Sequence, residues 1–211
     1  MTLEIVVMDA IVNLLKLAVT QLSPDVKHAL ARAREEETSD VARTQLDAIL
    51  KNVDMAEKME TPICQDTGIQ MFYLRVGSDF PIIAKLTQIL REAVKRATET
   101  IPLRPNAVHP FTRENSGDNT GEYAPYIDWE VFASDTLELT ALPKGFGAEM
   151  MSTFTMLTPG EGIRGLKKFV IDTIITAGAR PCPPVILGVG VGGGADSVMK
   201  LARKAVLRPV D

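Results

Sequence analysis

The stretch "TPICQDTGIQMFYLRV", residues 61–76, marks the point at which a helical pattern gives way to a strand. Residues 62–68 read as a turn, because proline, aspartate, threonine and glycine all occur in this short span. Residues 69–76 alternate poorly but are rich in β-forming side chains. The sequence therefore predicts a strand that is entered directly from a turn carrying Cys64.

Helical patterns precede this turn. The first 22 residues are apolar at helical spacing yet include charged side chains, which predicts an amphipathic core helix and not a membrane span. Ser23 and Ser39 stand where N-caps would begin a second and a third helix, and Pro24 suits a first helical position. We therefore expect residues 1–60 to form three helices.

Strand and helix patterns alternate in the rest of the chain. Helices are predicted over residues 81–98, 160–177 and 195–206, and strands over 126–132, 137–141 and 185–191, the last of them buried. Residues 101–125 are irregular; such a loop is usually functional, although a plain surface excursion is the alternative. A helical N-terminal region followed by interleaved elements predicts a mixed α/β (α+β) fold around a small mixed sheet.

Composition and charge argue against several classes of protein. The 211 residues carry a net charge of −4 and no run of lysine or arginine, so nucleic-acid binding is not expected. Two cysteines are too few for a disulfide framework, and no signal peptide is evident. We expect a cytoplasmic protein with reduced thiols.

Two thiols are candidate ligands. Cys64 is followed by Gln65 and Asp66, which offer a donor and an anion beside a thiolate able to bind iron or zinc. The alternative is a buried structural cysteine before an Asp-Thr-Gly turn. Cys182 lies among three prolines that would hold its backbone stiffly, as prolines do beside iron–sulfur ligands. A strand-entry loop that happens to contain cysteine is equally compatible.

Glycines and arginines mark further candidate sites. Gly188-x-Gly190-x-x-Gly193 has the spacing of a dinucleotide fingerprint, although the 18 residues after Gly193 leave no room for the rest of a βαβ unit. Residues 144–147, Lys-Gly-Phe-Gly, would let a ligand approach the backbone, or would form only a turn. Arg104 and Arg113, in the long loop, are able to clamp a carboxylate or to remain solvated.

In combination these stretches resemble the α subunit, or N-terminal domain, of the class I fumarate hydratase and L-tartrate dehydratase family of iron–sulfur hydro-lyases. The likeness runs from the first helices through "PICQDTG" (62–68), "RPNAVHPFTRENSGDNTG" (104–121), "LPKGFGAEM" (142–150) and "RPCPPVILGVGVGGGAD" (180–196). It implies reversible dehydration of a hydroxy-dicarboxylate, with malate to fumarate as the first interpretation and L-tartrate as the alternative. A non-enzymatic assembly partner and a nucleotide-binding domain are the alternatives of another class.

The resemblance also implies a cofactor and roles for single residues. The family holds a 4Fe–4S cluster through three cysteines, and Cys64 and Cys182 look like two of these ligands. Gln65 and Asp66 would face the substrate, with Asp66 orienting or assisting the base. The remaining implied substrate contacts are the side chain of Arg104 and the backbone of Gly147. A β subunit would supply the base and further cations, in a dimer of αβ pairs.

Two departures from the family pattern bear on these expectations. The family usually has Lys-Gly-Gly-Gly-Ser-Glu-Asn after the strand, where this chain has Phe146, Ala148 and Met150 in place of a glycine, the serine and the asparagine. The third cysteine has no counterpart in the chain. We therefore expect residues 1–211 to be a single catalytic domain without its C-terminal segment, inactive by itself.

Overall fold

The computed structural model describes residues 1–210, which fold as two compact units, the first comprising residues 1–145 and the second beginning at Phe146. In the first unit the elements are α1 (Leu3–Thr20), α2 (Pro24–Glu36), α3 (Asp40–Met59), β1 (Ile69–Gly77), a 3-10 turn (Ile83–Lys85), α4 (Leu86–Thr100), β2 (Tyr126–Phe132) and β3 (Leu137–Lys144). In the second they are α5 (Phe146–Glu149), α6 (Gly162–Ala177) and α7 (Ala195–Ala205). The mixed α/β prediction is confirmed.

The sheet of the first unit has the order β2-β1-β3, with β1 parallel to β2 and antiparallel to β3. The central position of β1 explains its poor alternation, because this strand is buried along almost its whole length. Arg75 is its exposed residue, and it forms ion pairs with Glu130 of β2 and Glu138 of β3. The parallel pairing requires a long connection, which α4 and residues 101–125 supply.

The core of the first unit lies between one face of the sheet and helices α1 and α4. Alternate β1 side chains, those of Phe72, Leu74 and Val76, pack there with Leu15 of α1 and Leu90 of α4. Each of these five side chains is at most 1% exposed. This layer is what holds β1, and with it the preceding turn, in place.

The three predicted N-terminal helices are confirmed, but only one of the two predicted serine N-caps makes a side-chain hydrogen bond. Ser39 acts as predicted, since its side-chain oxygen accepts a hydrogen bond of 3.5 Å from the backbone N–H of Ala42. Ser23 occupies the N-cap of α2 without a side-chain cap bond, and Pro24 is in the first turn. Within residues 1–210, no helix combines the length and apolar character needed to cross a membrane.

The predicted buried strand at 185–191 is wrong. No strand forms there, and most of its apolar side chains are exposed. Within the described residues this segment has no strand beside it to complete its backbone hydrogen bonds, and it packs on α7 instead. A β-carbon at Gly188 would lie 2.1 Å from the carbonyl oxygen of Ala202, and one at Gly190 would lie 2.3 Å from that of Val198. The two glycines therefore serve contact with a helix backbone and not a sheet.

Candidate functional site

The turn at residues 62–68 connects α3 to β1 and is anchored at Ile63, directly before Cys64. The backbone N–H of Ile63 donates to the carbonyl of Val19 at 2.9 Å, and the side-chain amide of Asn52 donates to the carbonyl of Ile63 at 2.8 Å. Cys64 itself is a free, exposed thiol. The buried structural cysteine considered from the sequence is therefore excluded, and the thiol is accessible to a ligand.

Asp66 lies half-buried in the same turn and is held by two donors. Its Oδ1 accepts hydrogen bonds from the backbone N–H of Gly68 at 3.1 Å and from Nδ2 of Asn106 at 3.2 Å. Gly68 has a φ of +69°, and a β-carbon there would lie 2.2 Å from the backbone carbon of Lys144. Only glycine fits this position, because the left-handed conformation and the close approach of β3 both exclude a side chain.

Arg104 reaches this turn through its backbone. Its N–H donates to the hydroxyl of Thr67 at 3.0 Å, and the Thr67 side chain is buried. The side chain of Arg104 is exposed, as is that of the neighbouring Gln65. The structure thus holds the backbone of Arg104 against the turn that contains Cys64, Gln65 and Asp66.

Asn119 organises the loop that carries Arg104. It is completely buried with a φ of 60°, a conformation that asparagine tolerates better than most residues. Its Oδ1 accepts from the backbone N–H groups of Asn106 at 2.7 Å and Ala107 at 3.3 Å, while its Nδ2 donates to the carbonyl of Arg104 at 3.0 Å. The sequence analysis did not single out Asn119. The signal that could have found it is its place in a short polar turn, two residues after Gly117.

Asp118 stabilises the adjacent turn as an ionised group. Burial by itself would raise the pKa of its carboxyl. Hydrogen bonds from the backbone N–H of Thr120 at 2.9 Å and from its hydroxyl at 2.8 Å outweigh burial and hold the pKa below its usual value. The loop 101–125 is therefore built by its own side-chain hydrogen bonds and is not a loose surface excursion.

The second unit carries the other predicted site residues. Cys182 is a free, exposed thiol with a φ of 60°, an uncommon conformation for a non-glycine residue that is often retained at functional positions. Gly147 is exposed in α5, and a β-carbon there would meet nothing within 4 Å. Its backbone is therefore open to a ligand.

The residues that depart from the family pattern lie on the surface of α5 and just after it. Phe146, Ala148 and Met150 are all exposed, so these substitutions alter a surface and not a packed core. Glu149, which the pattern retains, forms an ion pair with Arg203 of α7, with Nε of the arginine 3.1 Å from Oε1. This pair joins the segment after β3 to the last helix.

The glycines at 188, 190 and 193 do not form a dinucleotide fingerprint. That motif needs a strand before the first glycine, and residues 185–191 form none. A β-carbon at Gly193 would lie 2.2 Å from the hydroxyl oxygen of Ser197, again within reach of α7. Nor do any three His, Cys, Asp or Glu side chains cluster as a metal site within residues 1–210.

Comparison with known proteins decides the family. The model of the family described as "Fumarate hydratase (Fumerase)" matches residues 8–211. The chain belongs to this family. As a member of the fumarate hydratase family it is a hydro-lyase chain, and the α-subunit resemblance inferred from the motifs is confirmed.

Two relatives of this fumarate hydratase family member are α subunits. It is 45% identical over 206 residues to the "Putative L(+)-tartrate dehydratase subunit alpha" of Methanocaldococcus jannaschii, with 96% of this chain and 72% of the relative covered. It is 36% identical over 203 residues to the "L(+)-tartrate dehydratase subunit alpha" of Escherichia coli (strain K12), with 96% of this chain and 67% of the relative covered. Both relatives carry the name of a dehydratase that acts on tartrate.

Proposed function

We propose that this chain is the α subunit of a hydro-lyase that dehydrates L(+)-tartrate. The hydrogen bond from the Arg104 backbone to Thr67 carries the proposal, because it attaches the start of the arginine-bearing loop to the turn that contains Gln65 and Asp66. A hydroxy-dicarboxylate needs a cation for its carboxylate, and the Arg104 side chain would supply it. The names of the relatives favour tartrate over malate, which was the first interpretation of the sequence. Malate dehydration to fumarate remains the second candidate, supported by the family description.

Cys64 and Cys182 are proposed as ligands of a 4Fe–4S cluster. Both thiols are exposed and free, and both lie outside helices and strands, so their donor chemistry and accessibility fit a thiolate-bound cluster. When bound, the cluster would supply a Lewis acid that polarises the carbon–oxygen bond of the departing hydroxyl. A third ligand would come from outside the residues described.

The side chains of the site would bind and orient the acid. Arg104 is able to hold one carboxylate by two parallel hydrogen bonds, and the open backbone of Gly147 would contact the substrate. The Gln65 amide would donate to a hydroxyl, and Asp66 would orient or assist the base that removes the proton from the neighbouring carbon. Loss of water from tartrate leaves an enol that becomes oxaloacetate, whereas loss of water from malate leaves fumarate.

The proposed base and further cations belong to a β subunit, a partner implied by the α-subunit names of the relatives. Cations facing the substrate would stabilise the charge that develops on a carboxylate as the proton leaves. We propose that two αβ pairs form the cytoplasmic enzyme, and that residues 1–211 form a single catalytic domain within it.

Turnover by the complete enzyme tests this proposal. The α chain is co-expressed with its β subunit, reconstituted with iron and sulfide without oxygen, and assayed with L(+)-tartrate, malate and fumarate. We expect the highest kcat/KM with tartrate, and loss of activity in Cys64→Ser and Cys182→Ser. Preference for malate or fumarate would overturn the tartrate assignment, and the absence of turnover with all three acids would overturn the hydro-lyase proposal.

Arginine variants test the carboxylate contact in the same assay. Removing one partner of charge-assisted hydrogen bonds costs about 1.5–3 kcal/mol, so Arg104→Gln should raise KM by about 10- to 100-fold. Arg113→Gln is the matched control, since it removes the same charge from the same loop and should change KM less than about threefold. Equal effects of the two variants would refute a specific contact by Arg104.

A further inference from the structure

The carboxylate of Asp66 is fixed by donors that converge on one oxygen. The backbone N–H of Gly68 is a local donor within the turn, whereas Nδ2 of Asn106 reaches Oδ1 from a position 40 residues away. Two donors on one oxygen restrain the position of that oxygen. Of these two hydrogen bonds, the one from Asn106 depends on the tertiary fold, because its partners are far apart in the chain.

Asn106 is itself held firmly. Its backbone N–H donates to Oδ1 of Asn119 at 2.7 Å, and the same buried amide donates from Nδ2 to the carbonyl of Arg104. Nδ2 of Asn119 also donates to the hydroxyl of Thr98 at 3.1 Å, which ties the group to α4. One buried side chain therefore sets the backbone positions of both Arg104 and Asn106.

The other side of the Asp66 carboxylate lies against Gly145. A β-carbon at Gly145 would be 3.0 Å from Oδ2 and 3.2 Å from Cγ, so a side chain there would require the carboxylate to shift by a few tenths of an ångström. Asn106 on one side and the bare backbone of Gly145 on the other leave the group little rotational freedom. An amide is neutral, so Asn106 provides this constraint without adding a cation that would compete with Arg104 for the substrate.

We propose that Asn106 is a positioning residue that fixes the Asp66 carboxylate for dehydration of the hydroxy acid. This inference rests on the proposed function, since it assigns a role within the same site. Asn106 acts through Asp66 and not on the substrate. Its loss should lower kcat and leave substrate binding largely intact, because Arg104 retains its own hydrogen bonds to Thr67 and Asn119.

Two variants of Asn106 in the reconstituted αβ enzyme test the proposal. Asn106→Asp keeps the size of the side chain and loses the donor, and Asn106→Ala removes both. One lost hydrogen bond to a charged group corresponds to about a tenfold fall in kcat, and KM should change less than threefold. Asn115→Ala is the matched control, because that asparagine donates to the carbonyl of Pro105 in the same loop. It should keep its kcat.

A double-mutant cycle separates positioning from general destabilisation. In an Asp66→Asn background, Asn106→Ala should cost less than about a further twofold in kcat, because the group it positions is already altered. Full additivity of the two changes would overturn the proposal. So would an unchanged kcat in both Asn106 variants, or a change confined to KM.

A crystal structure of Asn106→Ala provides a readout that does not depend on turnover. The proposal requires the Asp66 carboxylate to rotate or to occupy several orientations, and an unchanged carboxylate would overturn it. If the unsubstituted αβ enzyme turns over none of the acids, the proposed function fails by itself. The carboxylate of Asp66 in the variant crystal then decides whether Asn106 positions this group.

Discussion

The hydroxyl of Thr67 accepts a hydrogen bond of 3.0 Å from the backbone N–H of Arg104, a residue 37 positions later in the chain. This bond joins the cysteine-bearing turn to the start of the long loop. Because Thr67 is only 4% exposed, its hydroxyl has little access to water as a substitute partner. The contact therefore links the stability of the turn to the position of the arginine.

Replacing Thr67 by valine should destabilise this junction. The shape is retained but the N–H of Arg104 loses its acceptor, which corresponds to about 1–3 kcal/mol of unfolding free energy. Urea denaturation of the chain measures the effect. Thr67→Ser, which keeps the oxygen, should lose about 1 kcal/mol or less. Equal stability of the valine variant and the parent would show that the bond contributes nothing.

Two glycine substitutions should differ in their effect on stability. Alanine at Gly68 would combine a positive φ with a β-carbon 2.2 Å from the Lys144 backbone, so we expect a loss of more than about 2 kcal/mol. Gly147→Ala meets open space and should change the unfolding free energy by less than about 1 kcal/mol. Thermal and urea unfolding of both variants provide the comparison, and similar losses would contradict it.

The core between β1 and the helices should respond strongly to a cavity. Leu90 of α4 is fully buried, and Leu90→Ala should cost about 2–5 kcal/mol. Leu17 of α1 is 48% exposed, so Leu17→Ala should cost about 1 kcal/mol or less. The two variants make the same leucine-to-alanine change, one at a buried position and one at an exposed position. Comparable urea midpoints for the two variants would be inconsistent with this core.

The ion pair between Glu4 and Lys85 should make the free energy of unfolding depend on pH in the acid range. A hydrogen bond from Lys85, with Nζ 2.6 Å from Oε1, is the main cause that lowers the pKa of Glu4 from 4.5 to about 2. Because the folded chain favours the ionised carboxylate, this contribution is complete above pH 4.5 and is lost as the pH falls toward 2.

Thermal midpoints measured between pH 2 and 7 test this dependence. Glu4→Gln should flatten the fall in stability at acid pH, and Lys85→Met should flatten it in the same way because it removes the cation. Salt should weaken the effect in the parent, since the Lys85 side chain is 62% exposed and the Glu4 side chain is 30% exposed. Superimposable pH profiles of the parent and Glu4→Gln would rule out the pair as a source of acid sensitivity.

Local patterns predicted most of the fold because they report on short-range physics. Apolar periodicity located α1, α4 and α7 within a few residues, and β-forming residues located β1 and β2. Residues 185–191 show where the same reasoning fails. A short apolar run has the composition of a strand, but a strand needs a neighbouring strand to complete its backbone hydrogen bonds. In this segment Gly188 and Gly190 lie directly against the backbone of α7 instead.

The sequence by itself determined the family and the chemical candidates, Cys64, Gln65, Asp66, Arg104, Gly147 and Cys182, because motif composition is a property of neighbouring residues. Only the tertiary structure decided which side chains position Asp66 and Arg104 by hydrogen bonds. Asn106 and Asn119 are unremarkable polar residues of a loop until folding brings them to Asp66 and Arg104. Their roles depend on hydrogen bonds between distant positions, and such bonds have distance and direction requirements that no local pattern encodes.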